Sequence, residues 1–108
     1  MDEQVIPVLH VAHAADAVTS CQRLGFTQEW EHRFEPGWPA FVSIARGRAQ
    51  LYLSEHRSDA RPGTLVHLVV SDIGPVVAEF GRPADEPLPG REIELRDPDG
   101  NRLRINAA

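Results

Sequence analysis

Five histidines, one cysteine and a pair of alternating glutamates are the residues of this 108-residue chain whose types suit metal or proton chemistry. His10 and His67 lie in apolar, β-rich stretches, and with Glu92 or Glu94 they would make a facial set of nitrogen and oxygen ligands for a divalent ion. His13 falls at a helix start, His32 in a strand and His56 in a polar, solvent-facing linker; none of the three pairs at ligand spacing. For each histidine the competing reading is a hydrogen-bonding or ring-stacking side chain. Ser54-Glu55-His56 is adjacency and not a triad, because consecutive strand residues point to opposite faces. There is no glycine-rich phosphate loop and no nucleophile on a recognisable turn. Cys21 sits in an apolar helical pattern and reads as a small buried residue.

The aromatic residues suggest a different chemistry. Trp30, Phe34, Trp38, Phe41 and Tyr52 crowd into the middle of the chain. By parity Trp30, His32 and Phe34 share one strand face, and Glu29, Glu31, Arg33 and Glu35 the other. Phe26 and Phe80 read as core. Trp38 stands in a loop between Pro36 and Pro39, where a large aromatic needs a packing or ligand reason. An aromatic wall stacks on planar molecules, and Glu92 or Glu94 with Arg96, Arg102 and Arg104 would fix their polar groups.

These residues must be carried by an α+β chain. Val5 to Val11 is β-rich but holds Pro7, which cannot donate to a ladder, so it is expected at a sheet edge or crossing between units. Ala14, Ala17, Val18, Cys21 and Leu24 recur at helical spacing, and Gly25 ends the helix. Strands are expected over Thr27 to Phe34, Ala40 to Arg46 and Ala49 to Glu55. After the polar linker 57–63 comes a strand from Thr64 to Ser71. A short helix from Ile73 to Phe80 follows, with Asp72 as N-cap. Arg82 to Pro89 carries three prolines and reads as an irregular loop or a poor edge strand. From Gly90 to Ile105, Ile93 and Leu95, then Leu103 and Ile105, alternate with polar residues around Asp97-Pro98-Asp99-Gly100-Asn101. That is a hairpin, with Asp97 accepting backbone N–H bonds and Gly100 or Asn101 taking positive φ. The first half is βαβββ and the second repeats it with its second strand eroded.

Length and composition bound the rest. The chain suffices for one domain with a modest core. A hydrophobic share of 42% and a charged share of 25% are those of an ordinary globular chain, and no apolar run is long enough for a membrane span. A net charge of −5 disfavours binding to a nucleic-acid backbone and suits a cationic small molecule. The acidic start Met-Asp-Glu-Gln lacks the basic region of a secretion signal, and the lone cysteine suits a reducing compartment, so a cytoplasmic location is expected.

The hairpin Arg-Glu-x-x-Leu-Arg-Asp-Pro-x-Gly-Asn resembles the closing hairpin of the glyoxalase/bleomycin-resistance/dioxygenase proteins, the vicinal oxygen chelate superfamily. Ile-Pro-Val-Leu-x-Val, a helix ending Leu-Gly-Phe, Trp-Glu-His-Arg-Phe-Glu-Pro-Gly and Leu-x-Leu-Ser-Glu-His resemble its bleomycin-resistance-like branch. The resemblance implies two βαβββ modules, residues 1–56 and 64–108, forming a curled mixed-sheet cup, with the second module abridged. Enzymes of the superfamily hold a metal at the floor of the cup. Registered on its turns, this chain offers Ile6, Tyr52, Leu65 or Val66, and Arg104 at those positions, so the usual ligand set is absent and no cofactor is expected. The branch implies a homodimer that sequesters a planar or cationic natural product, a bleomycin- or enediyne-type antibiotic, without altering it. Trp30, His32, Phe34, Trp38, Phe41, Tyr52, His10, His67, Glu92 and Arg104 are the expected ligand contacts. The alternative is a metal-dependent lyase, isomerase or dioxygenase using His10 and His67; a third reading is a metabolite sensor.

Overall fold

A computed structural model describes residues 3–80 and 92–108. The expected Arg82 to Pro89 element lies outside these residues. The order is β1 (Val8–His10), α1 (Ala14–Gln22), β2 (Thr27–His32), β3 (Phe41–Arg46), β4 (Ala49–Ser54), β5 (Leu65–Val70), α2 (Gly74–Phe80), β6 (Glu92–Arg96) and β7 (Arg102–Ala107). The strands form two mixed sheets, β1-β4-β3-β2 and β5-β7-β6. In each, the first strand runs parallel to the last, and the remaining pairs are antiparallel. The second sheet thus repeats the first without a counterpart of β2 among the described residues.

β1 is shorter than the Val5 to Val11 stretch suggests and lies at a sheet edge, where Pro7 costs no ladder bond. Its carbonyl is still used, accepting from the N–H of Tyr52 at 2.9 Å. β2 stops at His32, so Phe34 lies beyond the strand.

α1 begins without a side-chain cap on its own N-terminus. Glu55, at the end of β4, supplies the acceptor instead, taking the Ala14 N–H at 2.8 Å and the Ala40 N–H at 2.9 Å. At the other end Gly25, with φ +91°, closes the helix: its N–H meets the Gln22 carbonyl at 3.0 Å and the Phe26 N–H meets Cys21 at 3.2 Å. α2 starts as expected, with Asp72 accepting the Gly74 N–H at 2.9 Å.

Ladder register sorts each sheet into an inner and an outer face. Leu9, Val42, Ile44, Leu51 and Leu53 turn inward under α1, where Ala14, Ala17, Val18 and Cys21 are buried against them. Leu68, Val70, Ile93, Leu103 and Ile105 are the buried face of the second sheet and join the same core, with Val76 of α2. Phe26 is buried, and Phe80 is packed at the rim under the Arg23 guanidinium, 4.4 Å from its ring centroid. Cys21 is buried, and desolvation, aided by the charge of Asp97, pushes its thiol up to about 11.

Candidate functional site

The outer face of the first sheet is set by register. Val8 pairs with Tyr52, Tyr52 with Ser43, and Ser43 with Trp30; His10 pairs with Ser54, Ser54 with Phe41, and Phe41 with His32. Partners across a ladder share a face, so Trp30, Phe41, Tyr52, His32 and His10 all stand on one side. Three of the rings form a cluster: Trp30 and Phe41 stack with centroids 6.1 Å apart, Trp30 and Tyr52 lie at 5.6 Å, and Phe41 and Tyr52 at 5.0 Å. Trp30 remains 43% exposed, so the cluster is an open wall and not a closed core.

Further along β2, His32 and Phe34 meet edge to face at 4.9 Å. Trp38 joins neither group: half exposed in its loop, it offers its backbone carbonyl to the Arg33 guanidinium at 2.5 Å. The chain therefore brings Trp30, Phe41 and Tyr52 together and leaves Trp38 apart. His10 faces the wall's side, and its Nδ1 is buried with no hydrogen-bond partner among the described residues. His56 is half-buried rather than solvent-facing. Ser54 donates to Asp59 at 2.6 Å while Glu55 turns to the helix start, so these neighbours form no triad.

A β-bulge between Gln28 and Trp30 corrects the parity reading of β2. Glu29, expected opposite Trp30, instead reaches the wall's side. Its Oε1 accepts from Ser43 Oγ at 2.7 Å and from Gln50 Nε2 at 3.0 Å, and that Gln50 nitrogen also donates to Ser43 Oγ at 2.9 Å. Ser43 is fully buried between the Trp30 and Tyr52 rows. Parity cannot reveal such a residue; only the polar Ser43 and Gln50 among the apolar residues of β3 and β4 hint that something binds them.

The outer face of the second sheet is charged. Leu65, His67 and Val69 of β5, Arg102, Arg104 and Asn106 of β7, and Glu94 and Arg96 of β6 share it. The register choice thus falls on Leu65, with Val66 on the inner side. Glu94 binds Arg104 at 3.1 Å, with Arg102 and Arg96 at 3.6 and 3.7 Å. The Arg104 bond, then the nearby arginine charges, hold its carboxyl below the usual range against a small opposing desolvation. His67 Nε2 pairs with Asn106 Oδ1. Glu92 takes its place on β6 opposite Asn106. With Val69 56% exposed, this face is also open. The two faces belong to different sheets, so the expected contacts divide between them, with Phe34 just past the end of β2 and Trp38 on neither.

Among the described residues, the four positions where the superfamily's ligands would fall hold other chemistry. Ile6 precedes β1, Tyr52 belongs to the ring cluster, Leu65 is aliphatic and Arg104 is a permanent cation. No three His, Cys, Asp or Glu among the described residues converge at ligand distance, so His10 and His67 do not assemble a set with Glu94; the alternative carboxylate, the Glu92 side chain, lies outside the described ones. An apolar cavity of about 220 Å³ lies elsewhere, on the core side between α1 and β6–β7, lined by Leu9, Cys21, Leu53, Leu95 and Leu103. Among the described residues no helix is long and apolar enough to cross a membrane.

The fold has many solved relatives at low identity. A bleomycin-binding protein in complex with bleomycin aligns with a TM-score of 0.71 and 19% identity, covering 99% of each chain. TioX from Micromonospora sp. ML1 gives 0.74 and 17%, covering 98% of each. TnmS3, an antibiotic-binding protein from Streptomyces sp. CB03234, gives 0.70 and 18%, covering 99% of this chain and 96% of its own. No curated protein sequence matches significantly. A family model described as glyoxalase superfamily protein matches residues 1–108, the whole sequence, and its two repeated mixed sheets are those of the vicinal oxygen chelate fold. The chain belongs to the glyoxalase superfamily.

Proposed function

We propose that this protein is a cytoplasmic, metal-free homodimer that sequesters an aromatic natural product, an antibiotic of the bleomycin or enediyne kind, and confers resistance by removing it from solution. The observation that carries this reading is the open Trp30–Phe41–Tyr52 wall on one face of the first sheet. A stacking wall lowers the free concentration of a planar toxin by mass action and requires no reacting group. Likeness to a bleomycin complex and to an antibiotic-binding protein supports the choice of ligand.

Two modules, residues 1–56 and 64–108 joined by 57–63, each supply one half-site. The wall of one protomer works with the charged face of its partner: Trp30, Phe41 and Tyr52 stack, His32, Phe34 and Trp38 border the groove, and His10, His67, Glu92 and Arg104 make polar contacts. Nucleic acid and membrane have no part in it.

Native mass spectrometry of protein prepared without chelator tests this, alone and with bleomycin or an anthraquinone-type enediyne. A metal-free dimer gaining one or two drug masses is expected. A stoichiometric metal, or no added mass with either drug, would overturn it.

A further inference from the structure

The bulge in β2 does more than kink an edge strand. It delivers the Glu29 carboxylate to the row occupied by Trp30, Ser43 and Tyr52. One oxygen, Oε1, is held by two donors, Ser43 Oγ and Gln50 Nε2. Gln50 Nε2 also braces Ser43 Oγ, so three side chains form a closed triangle. Among the described residues Oε2 has no hydrogen-bond partner, and no arginine or histidine pairs with Glu29. A carboxylate fixed by one oxygen, with the other left to accept, is preorganised for a donor from outside.

Its surroundings narrow the donor's charge. The π faces of three clustered rings stabilise cations, and a carboxylate beside such rings complements an alkylammonium group with both Coulomb attraction and hydrogen bonds. A neutral amide or hydroxyl ligand would need no fixed negative charge, and an anionic ligand would be repelled.

We propose that the Glu29–Ser43–Gln50 triangle is an ammonium subsite, so that the ligand is a planar aromatic bearing a protonated amine whose N–H groups donate to Glu29 Oε2. This rests on the sequestration reading, of which it specifies the ligand's charge.

The test uses full-length protein and three anthraquinones of one ring size, carrying an aminomethyl, a hydroxymethyl or a sulfonate group, titrated by tryptophan fluorescence and calorimetry. In the native protein the ammonium probe is expected to bind about tenfold more tightly than the neutral one, the order of one charge-assisted bond. In Glu29→Gln, which keeps an acceptor for Ser43, the ratio is expected to fall to about one. A Ser43→Ala variant, which frees the carboxylate from one brace, should lower the ratio by a smaller factor. Equal binding of the ammonium and neutral probes, or a preference that survives Glu29→Gln, overturns the subsite while leaving sequestration standing. A weaker dimer in Glu29→Gln with an unchanged ratio would assign the carboxylate to the contact with a second copy and also overturns it. Failure of all three probes to bind overturns both readings.

Discussion

The carboxamide of Asn101 donates to the backbone carbonyl of His10 at 2.8 Å, joining the turn between the last two strands to the end of the first. Its oxygen accepts the Thr64 N–H at 3.0 Å, just ahead of β5, and its nitrogen also donates to Asp97 at 2.9 Å. One fully buried side chain therefore pins the first strand of each sheet to the same turn. Gly100 makes the turn possible by taking φ +82°, and Asp97 accepts the N–H groups of Asp99 and Asn101 at 2.9 and 2.8 Å.

Replacing Asn101 with Ala strands the His10 carbonyl and the Thr64 N–H in partly buried positions. A loss of about 2–4 kcal/mol is expected, since each unmet partner costs about 1–3 kcal/mol. Chemical denaturation checks it; a loss below the error of the midpoint would mean water replaces the bonds.

Glu55 should make the fold sensitive to acid. Partial burial raises its carboxyl, but the Ala14 and Ala40 N–H bonds, with the charges of Arg33 and His13, outweigh that and lower it. A depressed folded value contributes stability above the unfolded pKa of about 4.3, and that stability is lost as pH falls through the folded value. Glu55→Gln keeps one acceptor oxygen and should cost about 1–2 kcal/mol near neutrality. Its deficit should shrink steadily as pH drops from about 6 to about 3 in denaturant titrations. A deficit that does not vary with pH would contradict the assignment.

Cys21 should be inert in the native state. With its thiol pushed up to about 11 and its side chain buried, little thiolate exists at pH 8 to attack an aromatic disulfide reagent. One equivalent should react in denaturant and almost none before it; rapid labelling of native protein would show that the helix opens locally.

The two tryptophans should report differently on ligand. Trp30 lies in the ring cluster and Trp38 does not. Quenching by a planar ligand should survive Trp38→Phe and fall several-fold in affinity in Trp30→Ala, because aromatic contacts of this kind contribute about 0.5–1.5 kcal/mol beyond area. The opposite pattern would move the binding face to the 33–40 loop.

Much of this was legible in the residues. Alternating Ile93, Leu95, Leu103 and Ile105 gave the hairpin, and Pro7 gave an edge, because both rest on local backbone rules. The wall was legible in part: Trp30, Phe41 and Tyr52 crowd into one stretch of sequence, but only the ladder register puts them on one face. Glu29 was not, because parity holds only while no residue is inserted, and a bulge leaves little trace in a polar edge strand. Neither was the Asn101 tether, which joins positions 91 residues apart. The division of the contacts between two faces escaped as well: alternation tells which side of a sheet a residue occupies, not where another sheet lies.

The bulge at Glu29 also bears on behaviour at high concentration. β2 forms the outer edge of its sheet and is exposed along its whole length, which makes it a template on which a foreign strand could zip. Skipping one residue breaks the regular spacing of its outward N–H and C=O groups, and Glu31 and Arg33 set charge along that margin. The protein can thus leave an aromatic surface open to solvent without offering the straight rim from which fibrils grow.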